Sequence, residues 1–342
     1  MENNKEYINV GVIGCGWITK EYKLLSKVIK NTKIVAATDL DLERAISVAG
    51  KDHAYKDMDN MFKNEDIDAV YIATPHNLHK EMIKQSFEAG KHILCEKPVC
   101  TTVEDAKAIK QLDSKFSDLK LGFNYNYRYD HNCYKLAYGI QNNHIGEIYY
   151  ANCRVFFSRD QEYFKKAGWR KRMDTAGGGT LIIHGSHIID IMLWAMGEPK
   201  NVMGKTDNVK FDNIEVEDVG FGIVEFENGS YAQINDSSVV KPKMRKIFGD
   251  QVELEIFGEK GRCHYKGPWP SKLKWKGVKK YKMDKLLRGI MHFGRSVKAF
   301  GNWILDDIPY FNTIDESAKV LCLIKALYKS SETGKKETVE KI

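Results

Sequence analysis

Residues 7–19 read Tyr7-Ile-Asn-Val-Gly-Val-Ile-Gly14-Cys-Gly16-Trp-Ile-Thr19, an apolar run rich in β-branched residues that ends in two glycines and enters a helix-compatible segment closing near Lys30. A short apolar run without alternation reads as a strand buried on both faces. Gly14 permits a tight turn and Gly16 lets the backbone approach a ligand. The helix behind them offers unpaired N–H groups and the positive end of its dipole to a phosphate. Thr19 stands where such turns often carry Gly or Ala, so the packing of helix on strand has to accommodate a hydroxyl and a methyl. Outward from this stretch the rhythm repeats. Strand-like runs at 33–38, 68–74, 92–95 and 119–123 alternate with helical segments that begin near Leu42, span 79–89 ahead of Gly90, and span 103–112. Strands alternating with helices join through right-handed crossovers, which predicts an α/β domain on a doubly wound parallel sheet.

After residue 127 the pattern changes. A helix-compatible stretch near 130–142 leads to an alternating strand at 148–157, helical signal returns at 180–196, and strand-like runs follow at 201–206, 218–226, 230–238, 251–257 and 262–266. Glu227-Asn228-Gly229 between two of these runs is a strong hairpin signal. The expected second domain is α+β, built on a largely antiparallel open sheet, and the tail at 314–329 is amphipathic and helical. We place the domains at 1–126 and 127–342, as suits a chain of 342 residues.

Bulk properties exclude several classes. The first six residues are polar, and no run approaches the roughly 18 uninterrupted apolar residues of a membrane span, so neither a signal peptide nor a membrane partner is expected. Seven cysteines (Cys15, Cys95, Cys100, Cys133, Cys153, Cys263, Cys322) are scattered and never form C-x-x-C. That fits a reducing cytoplasm rather than a disulfide framework or a zinc site. The net charge is +7, and its densest part is 272–285, with seven lysines interleaved with Trp275 and Tyr281 behind a Gly-Pro-Trp-Pro turn. This single run reads as an exposed hairpin or loop rather than a nucleic-acid surface. An anionic substrate would use the same positive field.

Asp39 closes the second strand 23 residues after Gly16, the place of an acid that grips the ribose hydroxyls of NAD. Leu40, Asp41 and Leu42 follow it with no adjacent Arg, and a 2′-phosphate would meet two carboxylates, so the expected cofactor is NAD, with NADP less favoured. Thr74, Pro75, Asn77 and His79 leave the carboxyl end of one strand, and Glu96-Lys97-Pro98 leaves another on the same edge. The proline sets an extended backbone before it, so Lys97 is aimed. The cofactor edge therefore comprises Gly14, Gly16, Trp17, Ile18, Asp39, Thr74, Pro75, Asn77, His79, Glu96 and Lys97. In the second domain Gly177-Gly-Gly-Thr-Leu-Ile-Ile183-His184-Gly-Ser-His187-Ile-Ile-Asp190 brings three glycines ahead of a helix, as if for close approach of a ligand. His184 and His187 are three apart and can share a helix face. His76 and His79 lack a carboxylate or thiolate cluster, so no metal is expected.

Taken together, the glycine fingerprint, A-T-P-x-x-x-H, E-K-P and the G-G-G…G-x-H-x-x-D helix resemble the Gfo/Idh/MocA oxidoreductase family, with its amino-terminal Rossmann domain, over 10–331. Asn124-Tyr125-Asn126-Tyr127-Arg128, Trp169-Arg170 and the Asn228-Gly229 hairpin extend the likeness. The resemblance implies hydride transfer between nicotinamide C4 and a hydroxyl-bearing carbon of a sugar, nucleotide sugar or cyclitol. His187 would accept or donate the hydroxyl proton, and Lys97 would hydrogen-bond the same oxygen. A histidine suits the first role because its unperturbed pKa is about 6.5, and a nearby ammonium stabilises a developing alkoxide. Substrate contacts are expected from Lys97, Tyr127, Trp169, Arg170, Ile183, His184 and His187. One departure stands out: relatives often carry Asp four residues before the catalytic histidine, and here Ile183 occupies that position, with His184 turned roughly 100° from it on an α-helix.

Two other readings stay open. A glycosidase of the same fold could oxidise and re-reduce a sugar carbon with NAD to allow elimination. A non-catalytic NAD-responsive binding protein would need no proton chemistry, and the loss of the acid at Ile183 is the feature that favours it. Relatives commonly pair their open sheets, so a homodimer or homotetramer is expected. The partners are otherwise a small-molecule sugar or cyclitol, possibly phosphorylated or nucleotide-linked, with no nucleic acid.

Overall fold

The computed structural model describes residues 5–240, 250–267, 270–281 and 292–342. The chain divides into two units, one from residues 1–100, 104–126 and 289–317, the other from residues 101–103, 127–288 and 318–342. Nothing in the residue pattern announces the return at 289–317.

In the first unit, β1 (Ile8–Ile13), α1 (Trp17–Ser26), β2 (Thr32–Thr38), α2 (Leu42–Ala49), β3 (Ala54–Tyr55), α3 (Met58–Asn64), β4 (Ala69–Ile72), α4 (His79–Glu88), β5 (His92–Cys95), α5 (Val103–Lys115) and β6 (Leu121–Phe123) follow in order. The six strands pair in the order β3-β2-β1-β4-β5-β6 and all run parallel. The expected doubly wound sheet is therefore present, with the two-residue β3 as an addition too short to show a pattern. β4 is buried at every residue and β1 at all but Asn9, as their unalternating apolar composition demands. The strand order reverses between β1 and β4, and ligands of such sheets bind beyond the carboxyl ends of the strands at that reversal. The chain leaves β1, β2, β4 and β5 at this edge through Gly14, Asp39, Thr74 and Glu96.

The second unit contains α6 (His131–Gln141), β7 (Ile148–Phe156), α7 (Gln161–Lys166), α8 (Met173–Ala176) and α9 (Ser186–Met196). Seven strands complete its sheet: β8 (Pro199–Asp207), β9 (Val219–Phe226), β10 (Tyr231–Ser237), β11 (Gln251–Gly258), β12 (Gly261–Gly267), β13 (Lys272–Lys276) and β14 (Glu337–Thr338). The order is β13-β12-β11-β7-β10-β9-β8-β14, and every pair is antiparallel except β7 with β10. β9 and β10 form the expected hairpin, with Gly229 at φ 82° in the turn. α9 packs on β7 and β11 and against α6, closing one face of the sheet. The stretch Met173–Met196 is apolar enough to cross a membrane by length and composition, but 83% of its most apolar window is buried in the protein interior.

The lysine run begins as edge strand β13. Lys272, Lys274 and Lys276 point to solvent, while the Trp275 ring lies edge-on to His144 at 4.9 Å. Charged lysines on an edge strand discourage pairing with another chain. Lys282 and Lys285 of the run, and residues 268–269 of the preceding turn, lie outside the described residues.

Candidate active site

The candidate cofactor site of the first unit is built by the strand ends. Gly14 has φ 87°, and a Cβ there would meet the Ala73 carbonyl oxygen at 2.8 Å, so the turn accepts only glycine. A Cβ on Gly16 would meet nothing within 4 Å. Gly16 caps α1 without a side-chain hydrogen bond, and the first turn carries no acid, so the helix N-terminus keeps N–H donors for an anion. Trp17 is 68% exposed beside it. Thr19 is fully buried, and its hydroxyl donates to the Gly14 carbonyl at 2.8 Å. The hydroxyl at the usual Gly or Ala position thus braces the turn.

Asp39 is held by both oxygens. Oδ2 accepts from the Cys15 N–H at 2.7 Å and Oδ1 from the Asp41 N–H at 2.9 Å, and no cation pairs with it among the described residues. The nearby Arg44 pairs instead with Asp41 at 3.1 Å. Behind β4, the Thr74 hydroxyl is buried without a hydrogen-bond partner. An uncapped helix start, open space over Gly16, an oriented carboxylate and an orphaned hydroxyl at one sheet edge fit a dinucleotide. Gly14, Gly16, the N–H groups of α1, Asp39 and Thr74 would hold it.

His79 is fully buried, with Nδ1 2.9 Å from the Pro98 carbonyl and Nε2 3.2 Å from the Thr74 carbonyl. Its ring thus ties the loop after β4 to the turn after β5, so any effect on a cofactor passes through those backbones. Asn77 is exposed and Pro75 half-buried on the same loop. The Glu96 carboxylate accepts from Tyr71 Oη and from Asn124 Nδ2. Burial pushes its pKa up, while Tyr71, Asn124 and Lys97 pull it down. Asn124 in turn accepts from Ser296 at 2.7 Å, so a buried polar chain anchors the segment that carries the half-buried Lys97.

The candidate residues of the second unit centre on α9. The chain enters it through a π-helical turn at Leu181–Gly185, a widened turn frequent at functional positions. The glycines before it serve the protein's own packing. A Cβ on Gly178 would lie 2.1 Å from Tyr328 Oη, and one on Gly179 would lie 1.9 Å from the Glu217 carbonyl. Two carboxylates that the sequence reading missed hold this entry. Glu217 accepts from the Gly179 N–H at 2.7 Å, the Leu181 N–H at 3.0 Å and Tyr328 Oη at 2.8 Å. Asp236 accepts from the Thr180 hydroxyl at 2.6 Å. Burial pushes Glu217 up to about 7, and burial with the neighbouring Glu217 pushes Asp236 well above the usual carboxylate range. Their partners lie 36 to 111 residues away in sequence, where no local motif could point to them.

Across residues 176–193, only Ile183 and His187 are not buried. His187 stacks on the buried ring of Tyr127, with centroids 4.6 Å apart. His184 faces other neighbours: it is 9% exposed, stacked on Phe157 at 4.4 Å and tilted against Tyr163 at 5.6 Å. The two histidines expected to share a face thus have different surroundings. One turn on from His187, Asp190 forms a fully buried pair with Arg128, whose Nε and Nη2 reach it at 2.9 and 2.7 Å. Arg128 also lies over the Trp194 ring. Arg170 lies between Tyr163 and Trp169, 4.8 and 5.2 Å from their centroids. Among the described residues no group of three His, Cys, Asp or Glu side chains is arranged as metal ligands.

Residues 8–120 match the family described as an oxidoreductase family with an NAD-binding Rossmann fold, and residues 135–264 match the GFO/IDH/MocA C-terminal domain. The chain is similar to glucose-6-phosphate 3-dehydrogenase of Bacillus subtilis, 32% identical over 75% of this chain and 73% of that protein. It is also similar to myo-inositol 2-dehydrogenase of Thermotoga maritima, 26% identical over 75% and 74%. Its fold is that of the WlbA dehydrogenase of Bordetella pertussis, solved with NADH and UDP-GlcNAcA, with TM-score 0.85, 24% identity and coverage of 98% and 99%.

Proposed function

We propose, for a chain that belongs to the Gfo/Idh/MocA oxidoreductase family and carries its NAD-binding fold, that it interconverts a hydroxyl-bearing carbon of a sugar, nucleotide sugar or cyclitol and the corresponding carbonyl. NAD, when bound, supplies the hydride acceptor or donor at nicotinamide C4. His187 takes or returns the hydroxyl proton, and Lys97 stabilises the negative charge that grows on the oxygen. The observation that carries this reading is the exposure pattern along residues 176–193, where a base flat against Tyr127 is one of two positions not buried. The Glu96 network anchors the Lys97 segment, and the Arg128–Asp190 pair anchors α9 one turn beyond His187.

The test is NADH formation by the purified protein with a panel of sugars, nucleotide sugars, cyclitols and glycosides. Net NADH with a free sugar or cyclitol supports the dehydrogenase. Release of a leaving group without net NADH favours the glycosidase, and NAD binding with neither favours the non-catalytic protein. The absence of the acid at Ile183 is the observation behind that last alternative. A reducing cytoplasm is the compartment we propose, because all seven cysteines are buried thiols outside any disulfide. The open face of the second unit's sheet supports association of copies into a homodimer or homotetramer.

A further inference from the structure

We propose that Arg170 binds an anionic oxygen group of the substrate, a carboxylate or a phosphate, so that the favoured substrate is an acidic sugar or cyclitol derivative. This inference rests on the dehydrogenase reading above and specifies its substrate. Every other described arginine of the second unit has a carboxylate partner: Arg128 with Asp190, Arg154 with Glu253, Arg159 with Asp250, Arg172 with Asp174 and Arg262 with Glu255. Arg170 has none among the described residues. Its guanidinium lies over the rings of Tyr163 and Trp169, 4.8 and 5.2 Å from their centroids. A guanidinium held this way keeps its N–H donors in its own plane, where they suit the paired oxygens of a carboxylate or phosphate. Because the ring contacts already restrict the side chain, little rotamer freedom remains to be lost on binding.

The surroundings point the same way. Residues 159–172 hold six basic side chains (Arg159, Lys165, Lys166, Arg170, Lys171, Arg172) against Asp160 and Glu162, a field that attracts an anion. Arg170 also belongs to a cluster that reaches the turn leading into α9. The Tyr163 ring beneath it is shared with Arg159 at 5.2 Å. The same Tyr163 ring is tilted against His184 at 5.6 Å, three residues before His187. A molecule reacting at His187 can therefore lie along this cluster with its charged group at Arg170. Arg159 is already neutralised by Asp250 at 3.0 Å and serves as a strut for Tyr163.

The experiment compares matched substrates: D-glucose, D-glucuronate and D-glucose 6-phosphate, with the equivalent neutral, carboxylated and phosphorylated forms of other hexoses. Wild-type protein is expected to prefer an acidic member by about 100-fold in kcat/KM, and the carboxylate and phosphate arms tell which anion it takes. Arg170→Leu is expected to abolish that preference, chiefly through KM, with the Kd for NAD unchanged. Arg170→Lys, which keeps the charge but not the fork, is expected to recover part of it. Equal or better turnover of the neutral members overturns the proposal while leaving the dehydrogenase reading intact. If no sugar yields NADH, the dehydrogenase reading falls instead. Calorimetric titration of glucuronate and glucose 6-phosphate into the NAD-loaded protein then decides the anion site by itself. Binding at least 10-fold weaker in Arg170→Leu supports it, and binding absent or unchanged overturns it.

Discussion

The imidazole of His187 and the phenol of Tyr127 lie face to face, 4.6 Å between centroids and 14° from parallel. The stack fixes the plane of the histidine ring, and so the directions in which its two nitrogens can meet a hydroxyl. Tyr127→Phe keeps the ring and is expected to retain most of the turnover. Tyr127→Leu removes the stack and is expected to lower kcat about 10-fold with a smaller effect on the Kd for NAD. His187→Ala and Lys97→Ala are expected to lose roughly 100-fold or more, the scale of general acid–base help. Steady-state NADH formation checks all four, and near-normal rates in the two alanine variants would remove their assigned roles.

Asp190 carries a different burden. It is fully buried with Arg128, so removing either partner strands a charge without water. Asp190→Ala is expected to destabilise the fold by about 3–5 kcal/mol, read as a lowered midpoint in denaturant. The double variant Arg128→Met with Asp190→Leu removes both charges and is expected to recover a large part of the loss. A fully additive double variant would show that the two side chains do not act as a pair.

These two pairs also mark where sequence reading stops. Gly14, Gly16 and Asp39 are legible because the turn, the close approach and the acid follow one another in a fixed local order. Lys97 and His187 are legible because short motifs surround them. The three glycines at 177–179 read as room for a ligand, yet Gly177 makes room for Thr101, Gly178 for Tyr328 and Gly179 for Glu217, all far along the chain. The π-helical turn at 181–185 is equally silent, since its composition suits an α-helix, and it gives His184 neighbours different from those of His187. The parallel pairing of β7 with β10 depends on strands brought together by the whole second unit, and alternation cannot reveal it.

Glu217 makes stability depend on pH with an unusual sign. Burial raises its pKa from 4.5 to about 7, so between those values the folded state binds a proton that the unfolded state has lost. The stability contribution is fully present below about pH 4.5 and falls as pH rises through about 7. At about 1.4 kcal/mol per pH unit the loss is about 3 kcal/mol. Glu217→Gln cannot ionise, so the difference in unfolding free energy between wild type and variant is expected to shift in favour of the variant from pH 5 to pH 8. Denaturation at several pH values measures it, and a difference constant with pH would refute the assignment.

The open face of the second unit's sheet carries exposed apolar side chains. Cross-strand register puts Tyr150 opposite Tyr231 and Ile223 opposite Met203, and these four are 44%, 51%, 60% and 53% exposed. We propose that these side chains form an association surface between copies, for which two-fold pairing is the common outcome. Ile223→Asp with Tyr231→Asp is expected to convert an oligomer into a monomer in light scattering without loss of the folded circular-dichroism signal. A wild-type monomer at micromolar concentration would contradict the proposal.

Ile183 offers the sharpest test of the proposed proton chemistry. It precedes His187 by four residues, and it shares with His187 the distinction of not being buried along residues 176–193. A carboxylate introduced there by Ile183→Asp would stand one turn from the imidazole. An opposite charge at that range favours the imidazolium and raises its pKa. If His187 is the base, the acid limb of the kcat/KM profile for sugar oxidation is expected to move up by about one pH unit, the scale of a single close charge. Ile183→Asn, of similar shape and without charge, is expected to leave the limb in place. A profile that moves equally in both variants, or in neither, would mean that the ionisation controlling the rate belongs to another group.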